Sequence, residues 1–254
     1  FVNSNPYWNL NSIQASRGQK HIQKSSGALN IMDALLKMYA QKSLAIFTIS
    51  NWSAKKISAH LEIQKEKIYV HPPGVNFFVN NDTKRSTLKI PEKPYLVFLG
   101  SNDIHKNLEV VLNALDCDDL ANVKLVLIGD NESILKKFNK QKISNQVVSL
   151  GQLSDDETAY VIKNSRALVF PSFFEGFGLP PLEAGLLGIP SICSDRPVMN
   201  EVLVDAALFA DPENVYEWKE KILEIIYDEN IRIKTGSNAQ KIANNFKWHV
   251  FFEN

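Results

Sequence analysis

The sequence predicts an α/β protein built on a doubly wound parallel sheet, and three observations carry that prediction. From residue 95 onward, short apolar runs of strand length alternate with amphipathic runs of helix length. Strands separated by helices imply parallel pairing with both sheet faces covered. With 44% apolar and 22% charged residues among 254, the chain has material for one large domain or one complete domain plus part of another.

Taken in order, Tyr95–Leu99 reads as the first strand of this series, and 107–115 as a helix with Leu108, Val111, Leu112 and Leu115 on one face. Lys124–Ile128 is the next strand, 133–139 a short helix and 147–150 a strand. Residues 154–164 open with Ser-Asp-Asp-Glu, a capping-box pattern, and read as a helix. Ala167–Phe170 is a strand, 182–187 a helix and 191–193 a strand; Val215–Tyr227 and 230–245 close the chain as two helices. Residues 1–80 hold a fragment of the same grammar: a helix at 28–42, a strand at 45–49, a helix at 53–61 and a strand at Ile68–Val70. Two strands and two helices are too few for a closed doubly wound domain. The segment 71–93, with Pro72, Pro73, Gly74 and Pro91 around a polar middle, reads as a connection, giving domains 1–83 and 84–254.

The formal net charge is zero but unevenly spread. Residues 1–83 hold nine basic and four acidic side chains, net +5, and residues 84–254 hold nineteen and twenty-four, net −5. An ordinary solvated surface explains this as well as an anionic partner of the first part does. Cys117 and Cys193 are too few and too far apart for a disulfide framework or zinc site, Cys193 reads as a buried thiol, and a reducing cytoplasm fits best. No apolar run reaches membrane-spanning length, and the sequons at Asn51 and Asn131 are chance-level patterns. The first residue is Phe1 rather than Met, so an earlier start or a signal peptide stays open.

The segment rich in chemistry is Phe170-Pro-Ser-Phe-Phe-Glu-Gly-Phe-Gly-Leu-Pro-Pro-Leu-Glu-Ala184. It leaves a strand and enters a helix, where parallel sheets bind ligands. Gly176 and Gly178 clear side chains from a loop feeding a helix N-terminus, whose N–H groups and positive end suit a diphosphate. Pro180 and Pro181 fit a helix start, where a missing N–H costs little. Glu175 and Glu183 bracket the loop; carboxylates repel phosphate, so each is suited to sugar hydroxyls. From the residues alone, a tight turn with a helix-capping Glu stays open beside a phosphate-bearing ligand.

The stretch Glu175 to Glu183 resembles the E-x7-E motif of the family 4 retaining glycosyltransferases of GT-B fold, and the likeness extends along the chain. Tyr95-Leu-Val-Phe-Leu-Gly-Ser-Asn-Asp-Ile-His-Lys-Asn-Leu108 is similar to that family's first donor-domain strand and Lys-Asn signature. Leu125-Val-Leu-Ile-Gly129, Val148-Ser-Leu-Gly151, residues 190–194, and Asn200-Glu-Val202 followed by 205–212 resemble its later strands and closing segment. Thr48-Ile-Ser-Asn-Trp-Ser53 and residues 68–76 resemble the end of its N-terminal domain and the hinge.

The resemblance implies a GT-B enzyme whose nucleotide-sugar-binding domain is 84–254, with 1–83 as the last part of the acceptor-side domain. It implies that Lys106 neutralises the donor diphosphate, that Glu175 binds hydroxyls of the transferred sugar, and that Gly176, Phe177 and the Gly178 and Leu179 backbone line the phosphates. Glu183 then holds the ribose, and Gly151, Gln152 and Leu153 lie near the base. Lys106 and Glu175 are the catalytic candidates, and neither metal nor cofactor is expected. Ser101 joins the donor-binding set as a departure: many relatives place an Arg there, so one charge partner is lost or supplied elsewhere, with His105 a candidate only if protonated. The family's glycine loop and active-site His have no convincing match; His21 lies in a polar stretch.

Asp116-Cys-Asp118 spells a D-x-D pattern but follows a helix and reads as a polar turn, and Trp8, Trp52, Trp218 and Trp248 read as packing anchors. No nucleic-acid pattern occurs. The expected activity is transfer of a sugar from a UDP- or GDP-linked donor to an acceptor hydroxyl with retention. A glycan or lipid-linked glycan acceptor of bacterial surface polysaccharide synthesis, and peripheral association with the inner membrane face, go with the basic first part. The rivals are a non-catalytic nucleotide-sugar-binding subunit needing a partner chain, and another GT-B enzyme such as a phosphorylase or epimerase. If the 254 residues were the whole protein, 83 would remain for a domain needing roughly 150, and it would bind donor yet transfer poorly.

Overall fold

The computed structural model describes residues 27–76, 88–92, 94–101, 103–131 and 142–246. They fall into two units: the described residues up to Pro73 with Phe174–Phe177, and Gly74–Phe173 with the described residues from Gly178 on. The expected boundary at 83/84 and the expected helix at 133–139 lie outside the described residues, as do Trp8, His21 and Trp248.

The first unit holds α1 (Gly27–Lys42), β1 (Ile46–Thr48), α2 (Asn51–Leu61) and β2 (Ile68–Val70). The two strands pair in parallel with Ile46 opposite Ile68. Helix α2 starts two residues earlier than expected because Ser50, in extended backbone, accepts from the Ser53 N–H at 3.1 Å, a cap worth about 1 kcal/mol. Its buried side chains Ile57 and Leu61 pack with Ala40 and Ile63 against Ile46 and Ile68.

The second unit contains β3 (Tyr95–Leu99), α3 (Leu108–Leu115), β4 (Lys124–Ile128), β5 (Val147–Gly151), α4 (Asp155–Lys163) and β6 (Ala167–Phe170). It continues through α5 (Leu179–Leu186), β7 (Ser191–Ser194), α6 (Pro197–Leu203), β8 (Ala207–Ala210), α7 (Val215–Tyr227) and α8 (Glu229–Asn244). The six strands lie in the order β5-β4-β3-β6-β7-β8, all parallel. Counted from β3, this is the 3-2-1-4-5-6 order of dinucleotide-binding folds, and its direction reverses between β3 and β6. The doubly wound prediction therefore holds.

Alternate residues of each central strand enter two separate cores. Leu96, Phe98, Leu125, Leu127, Val169 and Ile192 pack with α3 and with Trp218, Ile222 and Ile225 of α7. Tyr95, Val97, Val126, Ile128 and Leu168 face the other way, onto Val161 and Ile162 of α4 and Ala184 of α5. With both faces covered, the strands read as unbroken apolar runs. Trp218 is fully buried and donates Nε1–H to the Asp211 carbonyl at 3.1 Å, the packing anchor expected of it. Cys193 is buried in β7, also as expected.

Three features differ from the sequence expectation. Helix α5 begins at Leu179, not 182, because Gly178 turns the chain and the two prolines occupy its first turn. Helix α3 begins at Leu108, after a separate 3-10 turn at Ile104–Lys106. Helix α6, with seven residues, and β8, with four, had no expected counterpart.

Candidate functional site

Two loops leave the carboxyl ends of β3 and β6, on either side of the point where strand order reverses. The first runs through Gly100, Ser101 and Asp103 into the 3-10 turn that ends at Lys106. Ser101 donates its hydroxyl to Asp103 Oδ2 at 2.6 Å, so it sits in a local turn beside a carboxylate. The half-buried Lys106 carries its Nζ 5.5 Å from the centroid of the Phe170 ring, within cation–π range. A Cβ built on Gly100 would lie 3.8 Å from Lys106 Cδ, so the lysine stem runs along that glycine.

The residues on both sides of Lys106 are tied to the second loop. The His105 carbonyl accepts from the Phe173 N–H at 2.8 Å. Asn107, buried and in left-handed backbone at φ 52°, donates its side-chain amide to the Pro171 carbonyl at 3.1 Å and the Pro212 carbonyl at 2.7 Å.

The second loop returns at Gly178, which precedes α5 with φ 97°. A Cβ on Gly178 would lie 3.9 Å from Phe170 Cε1. One aromatic ring therefore borders both the Lys106 ammonium and the start of α5. A helix leaves its first four N–H groups unbonded; here Pro180 and Pro181 have none, which leaves those of Gly178 and Leu179. The Lys106 ammonium and the start of α5, with its two N–H groups and the positive end of the helix dipole, border the same aromatic ring, a set of groups matched to a phosphate or diphosphate.

Glu183 lies one turn further along α5 and is half-buried. Burial, and secondarily the Asp155 carboxylate, push its pKa upward. Asp155 opens α4, whose N-cap Ser154 shares a capping box with Glu157, as the sequence pattern predicts. Glu183 thus faces the start of α4, immediately after Gly151, Gln152 and Leu153 at the end of β5. Gly151 has φ 67° and accepts from the Gly129 N–H at 2.7 Å; Gln152 is exposed, and Leu153 packs against the core. From β6 to β5 is three strand spacings, roughly 14 Å, so a ligand reaching both is elongated, with anion contacts at one end and hydroxyl-accepting contacts towards the other.

The structure places Ser101 and Lys106 in the loop after β3 and Gly178 and Leu179 at the start of α5, on the two sides of the reversal point, while Asp155, on the helix that follows Gly151–Leu153, acts on Glu183. Glu175, Gly176 and Phe177 belong to the first unit; the first two are half-buried and Phe177 is buried. The sequence marked Asn107 only as part of the Lys-Asn signature, without a role of its own, and assigned none to Phe170. A polar residue that favours left-handed backbone, directly after the lysine, was the available signal for the first; Phe170 reads simply as the end of a strand. Asp116 follows α3 as its C-cap and Asp118 begins a 3-10 turn, the polar turn expected there. No helix of the described residues is long and apolar enough to cross a membrane.

Comparison with known proteins bears on the family and the fold. The family described as “Glycosyl transferases group 1” matches residues 79–242. “O-antigen chain mannosyltransferase RfbU” of Salmonella typhimurium is 30% identical over 196 residues, 75% of this chain and 53% of the relative. “O-antigen chain mannosyltransferase B” of Escherichia coli is 30% identical over 161 residues, 61% of this chain and 42% of the relative. The chain spans about half the length of these curated relatives. Among solved structures, Anabaena Alr3699/HepE in complex with UDP-glucose superposes with a TM-score of 0.76 at 18% identity, covering 87% of this chain and 65% of that one. The fold is therefore the α/β GT-B type.

Proposed function

Because the chain belongs to the group 1 glycosyl transferases, we propose that it binds a UDP- or GDP-linked sugar and serves its transfer, with retention, to a hydroxyl of a glycan or lipid-linked glycan acceptor. The observation that carries this is that the Lys106 ammonium and Gly178, at the start of α5, border the same Phe170 ring. That arrangement receives the diphosphate and stabilises the charge that grows on it as the sugar departs, which is electrostatic catalysis by preorganised donors. With the leaving group served in this way, the reaction needs no metal.

Glu183 accepts hydrogen bonds from the ribose hydroxyls, and Gly151, Gln152 and Leu153 border the base. Glu175 reads the transferred sugar, with Gly176 and Phe177 beside it. Residues 84–254 form the nucleotide-sugar-binding domain, and 1–83 contribute the last part of the acceptor-side domain. The names of two relatives support a hexose such as mannose and a role in bacterial surface polysaccharide synthesis. The basic first part supports peripheral association with an anionic membrane face on the cytoplasmic side.

The deciding experiment is a thermal-shift series with UDP, GDP, ADP and their sugar conjugates. A ligand that binds only the native state raises the midpoint by mass action, about 2.7 kcal/mol at a hundredfold excess over Kd. One nucleotide series should stand out, and its sugar conjugate should stabilise more than the bare nucleotide. Absence of stabilisation by every nucleotide and conjugate would remove the donor-site reading. Product anomeric configuration by NMR, with and without chelator, then tests retention and metal independence.

A further inference from the structure

We infer that Asn107 is a positioning residue of the diphosphate site, acting through Lys106; the inference rests on the donor-site reading above. Its backbone is the first reason. Asn107 has φ 52° and ψ 35° at the N-cap of α3, a left-handed conformation that glycine, asparagine and aspartate adopt most readily. Glycine would meet that need without a side chain.

What the side chain does is the second reason. An Asn at a helix N-cap ordinarily accepts from an N–H of the first turn. Asn107 makes no such bond. It spends both amide hydrogens elsewhere, on the Pro171 carbonyl at 3.1 Å and the Pro212 carbonyl at 2.7 Å. Those prolines stand at the outlets of β6 and β8, 64 and 105 residues away in the chain. One buried amide therefore ties together the loops after β3, β6 and β8.

Lys106 is the residue between the two ties. On one side the His105 carbonyl is bonded to Phe173 N–H; on the other, Asn107 is bonded to Pro171. The lysine backbone is thereby fixed to the first residues of the loop that leads to Gly178, and its stem runs beside Gly100 towards the Phe170 ring. A lysine tip on four rotatable bonds is useful to a diphosphate only if its Cα is held in register with the other donors. Fixing it beforehand removes part of the ordering cost of binding. The amide of Asn107 supplies that register without touching the ligand.

A double-mutant cycle separates positioning from mere structure. Parent, Lys106→Ala, Asn107→Gly and the double variant are titrated calorimetrically with UDP, GDP and the matching nucleosides, and unfolding midpoints are recorded in parallel. Asn107→Gly keeps the backbone conformation and removes only the amide. It should weaken binding of the preferred nucleoside diphosphate about tenfold. It should leave nucleoside affinity within about twofold and add no further loss in the Lys106→Ala background.

Parent-like diphosphate affinity in Asn107→Gly, an equal loss for nucleoside, or the same loss with and without Lys106 would overturn the inference. A parent that binds neither UDP nor GDP takes down the donor-site reading, and this inference with it. Should Asn107→Gly fail to fold, the isosteric Asn107→Asp is read in the same cycle. Loss of the fold in both variants assigns Asn107 to stability and overturns the positioning role.

Discussion

Gly178→Ala tests how tightly the backbone at the start of α5 is specified. Gly178 has φ 97°, and a side chain in left-handed backbone costs roughly 1–2 kcal/mol. The new methyl would also stand 2.5 Å from Met199 Cε and 3.0 Å from its Sδ. Met199 is only 1% exposed, so its terminal methyl has no solvent to swing into, and repacking an overfilled core costs about 1–3 kcal/mol. The two contributions together come to roughly 2–5 kcal/mol, a large share of the 5–15 kcal/mol of a typical domain. The assay is urea unfolding of four proteins: parent, Gly178→Ala, Met199→Ala and the double variant. In the Met199→Ala background the overlap is gone, so the Gly178→Ala penalty should shrink to the backbone part of about 1–2 kcal/mol. A Gly178→Ala protein within about 0.5 kcal/mol of the parent, or a penalty identical in both backgrounds, would refute the steric reasoning.

Lys106→Ala should weaken nucleoside-diphosphate binding tenfold to hundredfold, since a charge-assisted hydrogen bond is worth about 1.5–3 kcal/mol. Calorimetry giving equal affinities, with folding intact, removes Lys106 from the site. Glu183 gives a pH signature. Its folded-state pKa is raised, by burial first and Asp155 second, so between its ordinary value of 4.5 and the raised one the native state holds more protons than the unfolded chain. Stability contributed by the protonated group is present below the ordinary value and lost as pH rises through the raised one. Glu183→Gln should therefore be more stable than the parent at neutral pH, with the difference disappearing in acid, while its nucleotide affinity falls. A parent-minus-variant difference that does not change with pH contradicts this. Between the two glutamates, Glu183→Ala should weaken bare nucleotide, whereas Glu175→Ala should mainly abolish the preference for nucleotide-sugar over nucleotide; equal effects on bare nucleotide would contradict the division of roles.

The central strands were legible in the sequence because each is a local fact. Tyr95–Leu99, Lys124–Ile128 and Ala167–Phe170 are unbroken apolar runs, and a run covered on both faces needs no tertiary information to announce itself. The same holds for the Ser154–Glu157 capping box, whose bonds span three residues, and for the glycine-proline start of α5. Helix α6 and β8 were not read from the sequence, and their length alone does not account for it, since the four residues of β6 were.

By itself, then, the sequence determined the central strands and most of the helices of the described residues, that their sheet is parallel, and which loop has the residue types for a phosphate. Only the tertiary structure decided which loops meet. Periodicity is silent on strand order, so it could not say that β6 lies beside β3 and not beside β5. That one adjacency brings Phe170 within reach of Lys106, and Gly178 borders the same ring. The bond from Asn107 to Pro212 closes across 105 residues, and the raised Glu183 pKa comes first from burial and second from Asp155, which lies on another helix. The physical reason is the same in each case. Backbone hydrogen bonding and burial within an element repeat at short spacings and leave a pattern in the chain, whereas a side-chain hydrogen bond or a charge–charge contact between elements has no period and exists only once the sheet has placed its loops.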